Sequence, residues 1–381
     1  MRTCFCIVTL FVTLSCIQRD NKAVLADINA IVDSVHIRYV PDRRDDVFDI
    51  NALMQGDTLV LRGVTTVLEA KTELLNIIRK ICTEVIDSIR MLPDERLEGR
   101  IYGVAKVSVA DLRTAPSYAA EMATQLLLGM TMQILQYRQG WYQVKTLEDY
   151  VAWIQSGTLV CMNRETFRKW EAASKVIFTD DYGFAYETPD ENRQRASDMV
   201  FGCLMKWESD EGRFYRVSYP DGRQAYVLKS QSRMFDNWKA AINLTEESIV
   251  EKALELKGIP YTWGGTSVKA MDCSGFSKTV YLKHGIVLRR DASQQAKTGI
   301  PVEISDGYSR LRPGDLLFFG RNKIRHVGIY IGNMEFIHTT GSVGINSLDP
   351  IKPNYDAGNT KDLTSACRIL GAVGTKGVIN Y

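Results

Sequence analysis

Along the chain the spacing of apolar residues changes from alternating to helical and back. Asp57 to Val67 (DTLVLRGVTTV) alternates and is rich in β-branched residues, which predicts a strand. Leu68 to Leu92 follows with apolar residues at Leu74, Leu75, Ile77, Ile78, Ile81, Val85, Ile86 and Ile89. That is near helical spacing, and Pro93 is a suitable stop, so the pattern predicts one long helix. Residues 23–98 therefore read as a small α/β accessory domain. They hold no catalytic constellation, and His36 reads as a structural residue.

Between residues 100 and 235 the pattern becomes short alternating strands separated by turns such as Arg138-Gln139-Gly140 and Pro220-Asp221-Gly222. This stretch repeats itself at one constant offset. Pro116 matches Pro189, Gly129 matches Gly202, Tyr142 matches Tyr215, Val144 matches Val217, and Trp153-Ile154 matches Tyr226-Val227, with no gap between the pairs. The repeat predicts two small barrels, at 100–165 and 172–235, each closing its own edges. As positioning modules or as plain spacers, both barrels would look the same at this level.

The last unit, 245–381, opens with Thr245 as the cap of a helix through Ile249, Val250, Ala253, Leu254 and Leu256, stopped by Gly258. A second helix is predicted from Ser274 to His284, followed by strands at Asp315–Phe319, His326–Ile331 and Met334–His338. Helices followed by antiparallel strands make an α+β arrangement, so the whole chain is predicted to be multidomain α+β.

Composition narrows the function classes. The 381 residues include 47 Lys+Arg and 45 Asp+Glu, a formal charge of +2, with 45% hydrophobic and 24% charged residues. That is a globular composition, and the near-neutral balance argues against nucleic acid as the partner. No apolar run long enough to span a bilayer follows the N-terminus. Residues 1–16 differ: Met1-Arg2, an apolar stretch from Cys4 to Leu14, then Ser15-Cys16 and polar Gln18-Arg19-Asp20. This is the order of a secretion signal, and Cys16 after a small residue is similar to a bacterial lipoprotein signal. The Thr13-Leu14-Ser15 context departs from that signal's preferred aliphatic residue, so export is expected and a lipid anchor through Cys16 is left open.

Of eight cysteines, Cys4, Cys6 and Cys16 fall in the signal, and Cys82, Cys161, Cys203, Cys273 and Cys367 are far apart. With no CxxC pair, neither a zinc ribbon nor a disulfide framework is indicated. Cys273 stands out because it lies at the predicted start of a helix, where the dipole and unpaired N–H groups favour a thiolate and could hold an oxyanion. A thiol nucleophile needs an imidazole base and a third group to orient it. Among four histidines, His284 sits at a helix C-terminus, where a solvated role suffices. His326 opens an alternating strand (HVGIYIG), and His338 shares a face with Phe336 in the next one, so a hairpin turn at Gly332-Asn333 would bring the two rings together. Cys273, His326 and His338 then serve either as nucleophile, base and orienting residue or as ligands of a metal, although no HExxH supports the metal.

The ordered motifs Tyr261–Gly265 (YTWGG), Asp272–Phe276 (DCSGF), Leu311–Phe319 (LRPGDLLFF), His326–Gly332 (HVGIYIG) and Phe336–His338 (FIH) resemble the NlpC/p60 cysteine peptidases. The barrels look like bacterial SH3-like domains, and the domain order resembles the γ-D-glutamyl-L-diamino acid endopeptidase (dipeptidyl-peptidase VI) subgroup. The resemblance implies a papain-like catalytic core with Cys273, His326 and His338 as the triad. It implies Tyr261 near the oxyanion and Trp263 against the peptide. It also implies a pocket for a free L-Ala amine built from Asp272, Ser274 and Asp291, with Glu121 and Tyr150 from the first barrel. Ala292 stands where relatives carry a hydroxyl residue, so that contact is absent or moved to Ser293. The implied activity is hydrolysis of the γ-D-glutamyl–diamino acid bond in murein-derived peptides, at the periplasm or cell envelope, by a monomer with no cofactor and no metal. A wall-binding lipoprotein with an inert catalytic domain, and an amidase or acyltransferase on the same core, are the rivals.

Overall fold

The computed structural model describes residues 21–381, so the expected signal and Cys16 lie outside the described residues. The chain forms two compact units, one running to Pro41 and resuming over Val47–Met91, the other made of Asp42–Asp46 and Leu92–Tyr381.

In the first unit a helix, Asn21–Tyr39, precedes an antiparallel pair of strands, Phe48–Gln55 and Thr58–Thr65. The helix that follows ends at Ile78, and Val85–Met91 is a strand parallel to Thr58–Thr65. The single long helix expected over Leu68–Leu92 is thus a helix and a strand. Val85, Ile86 and Ile89 are β-branched and fit a pleated surface better than a crowded helix turn. Ile28, Val32, Leu61, Leu74 and Ile78 make the core, and His36 is buried with its ring stacked 5.2 Å from Phe48.

The second unit holds two seven-stranded antiparallel sheets. The first has strands beginning at Tyr102, Val109, Met122, Thr131, Trp141, Val151 and Leu159. The second has strands beginning at Lys175, Tyr182, Arg195, Leu204, Phe214, Gln224 and Ser232. Taken in order, every strand of the second starts at the same offset from its counterpart as Pro189 from Pro116, and the spatial order of strands is the same in both sheets. The periodicity in sequence is therefore a periodicity of fold. Two of the matched glycines hold the copies together. Gly129 (φ +83°) and Gly202 (φ +90°) adopt a conformation that favours glycine, and a Cβ would lie 2.3 Å from the Leu204 carbonyl oxygen at Gly129 and 2.9 Å from Leu127 at Gly202. Each copy's glycine thus seats a leucine of the other.

Behind the barrels, the helix Glu246–Glu255 starts at a capping box between Thr245 and Ser248. The helix Cys273–Leu282 is buried along its whole length and packs on a six-stranded sheet. The sheet runs in the order Ile300–Val302, Leu363–Arg368, Leu316–Phe319, His326–Gly332, Glu335–Thr339, Val343–Ser347. Leu282 and Val287 of this domain and Leu127 and Leu128 of the first barrel share one apolar cluster with the second barrel. Lys278 on the central helix is buried in an ion pair with Glu148 of the first barrel. His284 is not solvated as expected. It is buried, with Nδ1 against the Val280 carbonyl and Nε2 against the Ser248 hydroxyl, because the helix Glu246–Glu255 covers the end it occupies. Among the described residues no helix is long and apolar enough to cross a membrane.

Candidate active site

Cys273 is the first residue of the buried helix, and Asp272 is its N-cap, accepting from Gly275 N at 2.7 Å. The turn is tight enough that only glycine fits at 275, where a Cβ would lie 1.9 Å from the Gly265 carbonyl oxygen. Asp272 does more than cap. It also accepts from Gly264 N at 2.9 Å, from the Ser274 hydroxyl at 3.1 Å, and from Arg290 Nη1 and Nη2 at 3.2 and 2.6 Å. Burial alone would push its carboxyl up, but the Arg290 guanidinium and these donors hold it below the usual range. Asp272 lines the cavity and also anchors the turn through these five donors. Ser274 is likewise engaged, donating to Asp272 and accepting from Arg290 Nη1 at 2.8 Å.

Opposite the helix, the expected hairpin forms, with Asn333 and Met334 at φ 51° and 62° in its turn. It places His326 Nε2 2.7 Å from His338 Nδ1. His338 Nε2 lies 2.8 Å from Asn346 Oδ1 on the neighbouring strand, and Asn346 Nδ2 donates to the Asn354 carbonyl at 3.0 Å. Protons along this row follow from its last member. A carbonyl can only accept, so the Asn346 amide turns its NH₂ there and its oxygen to His338. His338 therefore donates from Nε2 and accepts at Nδ1, His326 donates from Nε2, and the bare nitrogen of His326 is Nδ1. The sequence reasoning missed Asn346; its position two residues on from Gly344, which pairs with His338, was the available signal.

The Cys273 sulfur lies against the backbone N–H groups of Val327 and Ser274, which places it beside the His326 strand. Burial pushes its thiol up to about 11, with the Asp272 carboxylate adding to the rise and the two N–H groups pulling back. Burial also takes His326 down to about 3, helped by His338 and Arg325, and lowers His338. Burial thus opposes the thiolate that the helix terminus alone favours. The dipole is outweighed by a carboxylate one residue away and by the exclusion of water.

A cavity of about 560 Å³ opens over Cys273. Its walls include Trp263, Ser274 and Asp291 from the catalytic domain and Glu121 and Tyr150 from the first barrel. The two parts are locked together: Trp263 Nε1 donates to Glu121 Oε1 at 2.5 Å, Thr266 N donates to Gln125 Oε1 at 2.9 Å, and a Cβ on Gly264 would lie 2.4 Å from the Met122 carbonyl oxygen. Tyr150 is buried and hydrogen-bonded to Asp291, and burial and that carboxylate raise its hydroxyl. Tyr261, half-buried, feels the charges of Cys273 and Asp272, and burial ahead of these raises it to about 12. Tyr261, His326 and His338 do not line the cavity itself. Two further wall residues, Arg44 and Arg290, went unassigned in the sequence; each reads there as an ordinary surface cation. Among the described residues no group of three or more His, Cys, Asp or Glu side chains could hold a metal.

Residues 258–364 match the NlpC/P60 family, and residues 112–159 match the bacterial dipeptidyl-peptidase Sh3 domain. The chain is 28% identical over 250 residues to the γ-D-glutamyl-L-lysine dipeptidyl-peptidase of Bacillus cereus, covering 62% of this chain and 73% of that one. It is 28% identical over 282 residues to dipeptidyl-peptidase 6 of Lysinibacillus sphaericus, covering 70% and 97%. A crystal structure of an NlpC/P60 family protein from Bacillus cereus has the same fold, with a TM-score of 0.61 at 24% identity, over 70% of this chain and 99% of that one.

Proposed function

We propose that this chain, a member of the NlpC/P60 cysteine peptidases that carries a bacterial dipeptidyl-peptidase SH3 domain, hydrolyses the γ-D-glutamyl–diamino acid bond of murein-derived peptides with a free N-terminal L-Ala. The observation that carries the reading is Cys273 at a helix N-terminus, beside the imidazole row and under a cavity walled in part by the first barrel.

The reaction starts from the neutral pair. As the Cys273 sulfur attacks the γ-glutamyl carbonyl carbon, its proton passes to His326 Nδ1. The developing oxyanion is met by the Cys273 backbone N–H and the Tyr261 hydroxyl. His338 and Asn346 hold His326 in the tautomer whose Nδ1 is free to accept that proton. The imidazolium then protonates the diamino acid amine as the C–N bond breaks, leaving a thioester. Water, deprotonated by His326, hydrolyses that thioester, releases L-Ala-γ-D-Glu and restores the thiol. No resident cofactor takes part. Substrate of this kind places the enzyme at the cell envelope, which agrees with the signal-like N-terminal sequence; a lipid anchor through Cys16 belongs to the same reading.

Mass spectrometry of products from L-Ala-γ-D-Glu-L-Lys and its diaminopimelate counterpart tests it. The expected product is the L-Ala-γ-D-Glu dipeptide, made by the native protein and not by Cys273→Ala. Release of L-Ala alone, or transfer of the acyl group to an added amine without hydrolysis, would move the assignment to an amidase or acyltransferase. Full activity in Cys273→Ala would end the peptidase reading.

A further inference from the structure

The segment Asp42–Asp46 leaves the first unit and joins the second, where it clasps the first barrel to the catalytic domain beside the cavity. The Arg44 carbonyl accepts from Val151 N at 2.6 Å, and Asp46 pairs with Lys145 at 3.2 Å, both on the barrel. Asp45 accepts from Gln294 at 2.8 Å and pairs with Arg289, both in the catalytic domain. So fastened, the segment points Arg44 into the cavity.

Arg44 is nearly saturated there. Nε and Nη2 donate to the two Asp42 oxygens at 2.8 and 2.6 Å, and Nη1 donates to Asp291 Oδ2 at 2.7 Å and to the Ser293 hydroxyl at 3.0 Å. A guanidinium with these partners has little to give a substrate anion. What it does is fill the space beside Asp291 and Ser293, held there by one oxygen of Asp291 and by the Ser293 hydroxyl. Around it stand three carboxylates, Asp42, Asp272 and Asp291, against two guanidinium groups, Arg44 and Arg290, linked in one network. This network holds the Arg44 guanidinium in one place.

We infer that Arg44 is the specificity-determining end wall of this site: it fills the groove beyond the N-terminal residue of the substrate, so that a peptide ending in a free ammonium is accepted and an N-acylated or N-extended peptide is refused. This rests on the peptidase reading above. It assigns the restriction to a side chain outside both the first barrel and the catalytic domain, supplied by the connecting segment.

The test compares kcat/KM of the full chain on L-Ala-γ-D-Glu-L-Lys, its Nα-acetyl form, and a form extended by one N-terminal Ala. The native protein should prefer the free peptide by about tenfold or more, the scale of one charge-assisted hydrogen bond. Arg44→Ala should narrow that preference about tenfold, with the rate on the acetylated and extended peptides rising in absolute terms and mainly through KM. Arg44→Lys, which keeps a long side chain at this end of the groove, should retain most of the preference for the free peptide over its acetyl form. If Arg44→Ala fails to fold, Arg44→Gln carries the same comparison. An unchanged preference in the variant, or a loss shared equally by all three peptides, would overturn the inference. A native protein that cleaves the free peptide without any preference would overturn it too, while leaving the peptidase reading intact. A native protein that cleaves none of the three overturns the peptidase reading itself.

Discussion

His338 and Asn346 face each other across two antiparallel strands, with Nε2 and Oδ1 2.8 Å apart, and that contact sets which nitrogen of His326 is free to take a proton. Asn346→Leu removes the acceptor and leaves His338 free to take either tautomer. We expect kcat to fall about 10- to 100-fold with KM nearly unchanged, in the range of general acid–base contributions. Asn346→Asp, which also accepts from Nε2, should keep most of the activity. Steady-state kinetics on the free tripeptide decide it, and an Asn346→Leu enzyme with native kcat would remove Asn346 from the row.

The raised thiol gives a second prediction. A Cys273 thiol pushed up to about 11 and a His326 imidazole taken down to about 3 predict a neutral resting pair at pH 7. Alkylation of Cys273 by iodoacetamide in the substrate-free protein should therefore be slow at pH 7 and accelerate above pH 9. Peptide mapping of the labelled site by mass spectrometry reads this directly. Fast labelling with a plateau below pH 7 would instead mean a preformed thiolate–imidazolium pair.

Histidine burial also predicts how stability varies with pH. His284, His326 and His338 all lie below their ordinary value of 6.5 in the folded chain, because burial disfavours the cation. Below pH 6.5 the unfolded chain binds protons that the native one refuses, so stability is full above that pH and is lost as pH falls towards 3. The carboxylates held low, such as Asp272, act only below their ordinary value of 3.8, so the window from pH 6.5 to 5 belongs to the histidines. Tm measured at pH 7.5, 6 and 5 should fall steadily, and His284→Gln should reduce the slope. A flat or rising Tm would contradict it.

The buried pair of Glu148 and Lys278 joins the first barrel to the catalytic helix. Removing one partner strands a buried charge, so Glu148→Leu should lose about 3–5 kcal/mol in urea unfolding. Replacing both, as Glu148→Leu with Lys278→Met, should recover most of that loss. If the single variant is as stable as the native chain, the pair does not hold these parts together.

How far the sequence reached depended on whether a residue acts through its own element or through a distant one. Cys273, His326 and His338 were legible because a helix start and two alternating strands fix where their side chains go. The barrels were legible because a repeat exposes shared spacing even when each strand is short. Val85 to Met91 misled because three β-branched residues can satisfy a helical and a pleated spacing alike, and parallel pairing with Thr58–Thr65 decided between them. His284 misled because the helix that covers it lies upstream, with Ser248 36 positions before it. Arg44 was invisible: in Asp42-Arg43-Arg44-Asp45-Asp46 it looks like one more solvated charge, and its partner Asp291 is 247 positions away. The burial that raises the Cys273 thiol was out of reach for a related reason, since the helix start is local but burial comes from the whole fold.

The shared frame of the two barrels carries an evolutionary consequence. Because each strand has its twin at one constant offset, a recombination that excised a single repeat length at any point in this region would rejoin matching strands and leave one intact barrel. Copies of this kind are free to diverge once one of them holds the indispensable face. The positions one repeat length beyond Glu121 and Tyr150 are Gln194 and Arg223, and neither lines the cavity. Only the first copy places an acidic and a phenolic side chain in the wall of the cavity over Cys273, so the second copy is free to change at those two positions without altering that wall.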